Sequence, residues 1–344
     1  MRKLMKLMPL LLMGMLATAL SGCEESNKPD LKSNFDRKMT AVTQEVKTTK
    51  STDKALLLVS FGSTWDAPQQ SFKEMIKSFK AKFPDRDVYF SFTSEICMTR
   101  CAQKGWNYYA PKFYLEALGN AGYKDIAVQS LHVIPGEEYL RVLSYVKDFH
   151  NHSIDGGKTP FDKVTVYLAG PLLHEEVDCD KVAAELHKVF AKDVKAGKLV
   201  CFMGHGNPAG MDFHNGNTRY IKIEQALQKL DKHYFVATVD MEGNYVGEMI
   251  ARMKKAGFTS GEVILHPLMS IAGDHANNDL KGGIETPAEK GSWRAEMVKA
   301  GYTCPLENCI MKGLADYPAI ANVWISHMEQ TLKEAPMFPE EKED

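Results

Sequence analysis

An excess of charge of either sign is the first thing this 344-residue chain lacks, with 42 Lys and Arg set against 44 Asp and Glu and a formal net charge of −2. Without a basic surplus there is no electrostatic footprint for nucleic acid, and without an acidic block there is no solvating tail. A long apolar run is also missing. The N-terminal run from Leu7 to Leu20 is rich in Met and Ala and falls short of the roughly 20 residues that a spanning helix needs. Aromatic residues are nearly absent from Glu24 to Lys54, where Phe35 stands alone. So polar a stretch cannot bury enough apolar surface to order itself.

What is present at the N-terminus is a pattern for export. Arg2, Lys3 and Lys6 precede the short apolar run, and Leu20-Ser21-Gly22-Cys23 places small residues before a cysteine. A basic start, a short apolar core and a small-residue cut site make a secretory signal. The last four residues look like a bacterial lipobox, so residues 1–22 are expected to be removed and Cys23 to be lipidated. Residues 23–54 then read as a flexible tether, with a mean reach on the order of 30 Å as coil. The protein is expected to be exported and lipid-anchored to a bacterial membrane, facing the periplasm or the cell surface. Membrane contact is expected through that anchor only.

The whole chain is 44% hydrophobic and 25% charged, enough to bury a core. Setting Cys23 aside leaves Cys97, Cys101, Cys179, Cys201, Cys304 and Cys309. An even number in an exported protein permits disulfides, and spacing alone does not choose among the pairings. Cys304 and Cys309 flank Pro305 and can close a small loop; Cys97 and Cys101 share a helix face, which suits packing or a metal.

Short apolar runs alternate with helical-period segments. Ala55 to Phe61, Val88 to Phe90, Ile126 to Leu131 and Val164 to Leu168 read as strands, with helices around Phe72 to Phe79, from Cys97 to Leu118, and from Tyr139 to Phe149. Continuous apolar strands separated by helices indicate a parallel sheet covered on both faces. The pattern then restarts. Leu199 to Met203 runs into Gly204-His205-Gly206, as the first strand ran into Ser60-Phe61-Gly62, and Gly136-Glu137 and Gly273-Asp274 follow corresponding strands. The expected fold class is α/β, with two similar domains, each a parallel sheet flanked by helices, and a cleft between them. The domains are assigned to residues 55–190 and 191–335, with a polar tail at 336–344. The segment from His150 to Pro160 reads as a loop inside the first domain.

Ligands of open parallel sheets bind beyond the carboxyl ends of the strands. His205 sits there between two glycines, His275 follows another strand, and Asp240 and Glu242 follow Val236 to Val239. Strand alternation gives the two acids the same facing if the extended backbone persists. Two imidazoles and a carboxylate suit a partly open site for a divalent Co, Ni, Fe or Zn ion. His132 and His214 are secondary candidates for the cleft, and His150 and His152 lie on the interior loop.

These residues carry a resemblance. Gly204-His205-Gly206, Glu242-Gly243, and Pro267-Leu268-Met269 with Ala272-Gly273-Asp274-His275-Ala276 resemble the anaerobic-pathway sirohydrochlorin cobaltochelatases, as do Ser60-Phe61-Gly62-Ser63 and Leu131 to Tyr139. The resemblance implies the class II chelatase fold and ATP-independent insertion of Co2+ into a tetrapyrrole, with no nucleotide. It implies His205, His275 and Glu242 as catalytic metal-site residues. Here Asp240-Met241 is inserted before Glu242-Gly243, so Glu242 is favoured as the acidic ligand and Asp240 is the alternative. Ser60, Phe61, Gly62 and Ser63 are expected in the tetrapyrrole cleft, with Met269 on an apolar wall. Arg219 or Arg294 is expected to meet substrate carboxylates.

Export sits awkwardly with a biosynthetic enzyme. Fe2+ and Ni2+ remain competing ions, and haem remains an alternative ring. Two other functions stay open: an exported haem-, tetrapyrrole- or metal-binding lipoprotein, and a dechelatase removing haem iron in nutrient uptake. A homo-oligomer also stays open.

Overall fold

Six consecutive apolar or small residues from Ala55 to Ser60 have no polar face to show to water. In the computed structural model they are all buried in strand β1 (Lys54–Ser60). The structure describes residues 31–151, 160–212, 214–282 and 291–338, with burial described from residue 34. The expected signal segment, Cys23, His152 and most of the interior loop and polar tail lie outside the described residues.

β1 pairs in parallel with β2 (Asp87–Phe92) on one side and β3 (Asp125–Ser130) on the other, and β4 (Thr165–Ala169) completes the order β2-β1-β3-β4. In the second lobe β5 (Leu199–Gly204) is central between β6 (Tyr234–Thr238) and β7 (Val263–Pro267). Both sheets therefore place their first strand in the middle. The repeat extends to individual hydrogen bonds. Thr93 N donates to Ser60 O at 2.9 Å and Ser94 N to Phe61 O at 3.1 Å; Val239 N donates to Gly204 O at 3.1 Å and Asp240 N to His205 O at 2.8 Å. Leu131 N to Val59 O (2.8 Å) is matched by Leu268 N to Met203 O (2.7 Å). Phe61 and His205 thus occupy equivalent positions, as do Ser94 and Asp240.

The structure corrects the tether. Residues 31–49 form helix α1 (Leu31–Thr49), and from Lys38 onward the chain belongs to the main body. Val42 and Val46 are fully buried, with Met39 packed beside them. Their spacing makes an apolar stripe that the polar average of the segment conceals. The Glu45 carboxylate accepts from Tyr114 OH at 3.0 Å, and Thr49 Oγ1 lies 2.9 Å from Tyr89 OH. The expected helix from Cys97 to Leu118 is two helices, α3 (Glu95–Gln103) and α4 (Pro111–Asn120). Gly105, at φ +79°, follows α3, and Pro111 opens α4 at its first turn, where a missing N–H costs nothing.

Helices α2 (Asp66–Lys82) and α5 (Glu137–Asn151) pack on the first sheet, and α7 (Thr218–Leu230), α8 (Val246–Lys255) and α9 (Trp293–Lys299) on the second. The domain limits also shift. Helix α6 (Glu176–Lys195) runs through the boundary expected at 190/191. Helix α10 (Pro318–Thr331) was expected with the second domain, yet it packs on β4 and α6. Trp324 Nε1 donates to His132 O at 3.1 Å, and Met337 N to Val166 O at 2.9 Å. The C-terminal segment covers the first sheet because its Ile320, Val323, Trp324 and Met328 need an apolar partner.

Candidate functional site

At the end of β5 the chain needs glycine twice. A Cβ on Gly204 would stand 2.2 Å from the Tyr220 ring, and one on Gly206 (φ +83°) would meet Met241 N at 2.7 Å. Between them His205 is pushed outward. Its Nδ1 lies 2.7 Å from Gly206 O; a carbonyl only accepts, so Nδ1 carries a proton, and in the neutral ring Nε2 is the nitrogen with the lone pair. His275 stands at the head of a π-helical turn (Ala276–Lys281), an irregularity frequent at functional sites. Its Nδ1 is 2.5 Å from Asp279 Oδ2. That hydrogen bond raises the His275 pKa above its ordinary value, against burial, and Asp274 and Asp240 add to the rise. The two rings lie 4.8 Å apart, centroid to centroid, at 79°. Both histidines thus have Nδ1 tied off, the arrangement that orients a metal-binding imidazole.

The third member differs from the favoured one. Asp240 Oδ2 lies 3.7 Å from His205 Nδ1, and Asp240 lines the cleft with both histidines. Glu242 is exposed and outside the cleft lining. The strand alternation that would have aligned the two acids fails because β6 stops at Thr238. Asn244 N then turns back to Met241 O at 3.1 Å, and Thr238 N takes Asn244 O at 2.7 Å. Among the described residues no three His, Cys, Asp or Glu side chains converge as a metal-binding group.

The cleft between the lobes measures about 550 Å³. Ser60, Phe61, Gly62 and Ser63 line it from the first lobe, and Met269 from the second. Gly62 has φ +109°, and a Cβ there would strike the Phe92 ring at 2.6 Å. The lobes touch beside the site, where Trp65 Nε1 donates to Asp274 Oδ1 at 3.2 Å. His132 also lines the cleft; burial pushes its pKa down to about 4, so the ring is neutral, with Nδ1 2.9 Å from Ser130 Oγ. His214 is exposed and outside the lining.

The expected cations are elsewhere. Arg219 donates from Nε to Leu173 O at 3.0 Å and from a terminal nitrogen to His174 O at 2.8 Å, and Arg294 Nε donates to Cys304 O at 3.1 Å. Backbone carbonyls hold both, and neither lines the cleft. The six described cysteines are unpaired. Cys304 and Cys309 are free thiols rather than the ends of a closed loop, and Cys101 Sγ donates to Ser63 O at 3.3 Å.

Glu138 was missed. It lines the cleft from the first lobe and accepts from Thr93 Oγ1 at 2.6 Å. Matching Gly136 with Gly273 sets Glu138 opposite His275 in the repeat, so one more residue of that comparison would have found it. The cleft therefore has an imidazole wall on the second lobe and a carboxylate on the first.

Parallel sheets, with a cleft at their carboxyl ends that an imidazole pair lines, define a two-lobed α/β protein. The particular family follows from its relatives. The family model for cobalt chelatase (CbiK) matches residues 54–333, and the chain belongs to that family of metal chelatase enzymes. It is 30% identical over 286 residues to the sirohydrochlorin cobaltochelatase of Salmonella typhimurium, covering 82% of this chain and 97% of that one. It is 28% identical over 277 residues to the sirohydrochlorin cobaltochelatase CbiKC of Nitratidesulfovibrio vulgaris, covering 80% and 90%. Its fold is similar to that of SirB from Bacillus subtilis, solved with Fe3+, at a TM-score of 0.50 and 14% identity over 81% of this chain and 95% of that one. The α/β class II chelatase architecture agrees with the sequence expectation.

Proposed function

We propose that this chain inserts Co2+ into sirohydrochlorin or a closely related tetrapyrrole. The observation that carries the reading is the His205–His275 pair, both Nδ1 atoms occupied, across a cleft from Glu138. Co2+ is a substrate, as is the ring. His205 and His275 present Nε2 to the ion, with Asp240 rather than Glu242 as the acidic partner, and borderline nitrogen and oxygen donors suit Co2+ while leaving positions open for hand-over. Insertion replaces two pyrrole N–H bonds by metal–nitrogen bonds and releases two protons. Glu138 accepts one from the ring face turned to the first lobe, and an imidazole freed by the departing ion accepts the other.

The test is optical. Protein beginning after Cys23 is mixed with sirohydrochlorin and Co2+, Fe2+ or Ni2+ under anaerobic conditions, and the absorption change of metallation is followed. Co2+ insertion should exceed the protein-free rate, and His205→Ala and His275→Ala should each abolish the excess. Wild-type rates equal to the protein-free control sink the reading. A stable Soret band with haem and no metallation would replace insertion by capture.

We also propose export and lipid anchoring at Cys23, on the strength of Leu20-Ser21-Gly22-Cys23 alone. Cys23→Ser should move the protein from the membrane to the soluble fraction; an unchanged distribution would remove the anchor.

A further inference from the structure

Ile96, Thr99, Arg100 and Gln103 recur at helical spacing and share one face of α3. With Glu95 they line a shallow groove of about 400 Å³. Ile96 and Arg100 also line the main cleft, so the groove is a continuation of it over the rim of the first lobe. Ile96 is 64% exposed and Phe61, also in the cleft, 45%. Together they give that rim an apolar edge fit for a flat ring.

Arg100 is the one Lys or Arg lining the cleft among the described residues. It is exposed and makes no hydrogen bond or ion pair with any described residue. Its neighbours are committed: Arg141 bonds Glu137 at 2.9 Å, and Lys104 Nζ donates to Thr64 O at 2.6 Å. Arg100 follows Cys97, another residue of the cleft wall, by three positions on the same helix. A guanidinium with no partner among the described residues, at the mouth of a site, is a ready bidentate receptor for a carboxylate.

We propose that Arg100 is a specificity determinant that takes a peripheral carboxylate of the bound macrocycle, with Ile96 as the apolar step under the ring edge. The assignment rests on the reading of the cleft as a tetrapyrrole site. A flat ring between the lobes keeps its centre near His205 and His275 and sends its carboxylate arms to the rim. Arg100 selects rings with carboxylates around their whole perimeter over rings with few.

The test is metal-free binding of sirohydrochlorin, followed by quenching of tryptophan fluorescence, for wild type, Arg100→Ala, Arg100→Glu and Arg100→Lys, alongside steady-state insertion of Co2+. For Arg100→Ala, Kd and KM should rise roughly three- to tenfold, as befits an exposed charge-assisted pair. For Arg100→Glu they should rise further, while Arg100→Lys keeps most of the affinity. Both kcat and Co2+ affinity should stay unchanged, and the differences should shrink at about 0.5 M salt through screening. A ring bearing only two carboxylates should bind wild type and Arg100→Ala alike. Equal sirohydrochlorin affinity in wild type and Arg100→Glu overturns this assignment alone. If wild type binds no tetrapyrrole, the functional reading falls, and this assignment with it.

Discussion

The Asp240 carboxylate stands 3.7 Å from the Nδ1 atom of His205, on the same wall of the cleft. Glu242, two residues on, is exposed beyond the turn that ends β6. An acid that partners the ion must be near both imidazoles, so Asp240→Ala should lower Co2+ affinity by on the order of ten- to a hundredfold. Glu242→Ala should change it less than about twofold. Titration with Co2+ watched through its visible absorption separates the two. The reverse order would restore Glu242 as the ligand.

Asp279 offers a second measurement. Its carboxylate raises the His275 pKa, and a protonated imidazole cannot bind an ion. Ion loading should therefore rise with pH through a midpoint above the ordinary histidine value. Asp279→Asn removes the charge that raises the pKa, so the midpoint should move to lower pH. The same change weakens the imidazole as a donor, and Co2+ affinity well above the midpoint should fall by on the order of tenfold. A midpoint unmoved by Asp279→Asn would show that the pair does not govern loading.

Glu138 faces the second lobe's imidazoles from across the cleft, held by Thr93. If it accepts a pyrrole proton, Glu138→Gln should lower kcat by roughly a hundredfold and leave Co2+ affinity unaltered. The shape of the side chain is kept, so KM for the ring should change little. Stopped-flow metallation with preloaded protein reads the effect directly. Loss of Co2+ binding without loss of kcat would instead make Glu138 a ligand.

Much of this arrangement was legible because its signals are local. Leu56 to Val59 and Val200 to Met203 are apolar without interruption, which only a strand covered on both faces explains. Gly204-His205-Gly206 and Gly273-Asp274-His275 announced themselves as glycine-freed loops after such strands. What escaped depends on partners distant in the chain. Val42 and Val46 make a stripe only because Tyr89 and Tyr114 come to meet α1. The docking of α10 on the first sheet joins Trp324 to His132 across most of the body. Arg219 and Arg294 read as free cations until Leu173, His174 and Cys304 supply their carbonyls. The choice between Asp240 and Glu242 turned on where one strand ends, and strand ends are set by turns rather than by periodicity.

Asp178 ties α6 to α10 and should report on stability. Its side chain is 2% exposed, and one oxygen lies 3.2 Å from His327 Nε2 on α10. Burial by itself would raise the carboxyl pKa; the hydrogen bonds from His327 and from the backbone N–H of Glu175 outweigh it and bring the value down to about 2. A carboxylate depressed in this way adds stability that is fully present above its unfolded pKa of about 4 and is lost as pH falls through the folded value. Asp178→Asn should thus destabilise the protein by about 1–3 kcal/mol at pH 7. The gap to wild type should close between about pH 4 and pH 2. Urea unfolding at pH 7, 4 and 3 checks this, and a gap that stays constant across that range would mean that Asp178 acts through packing rather than charge.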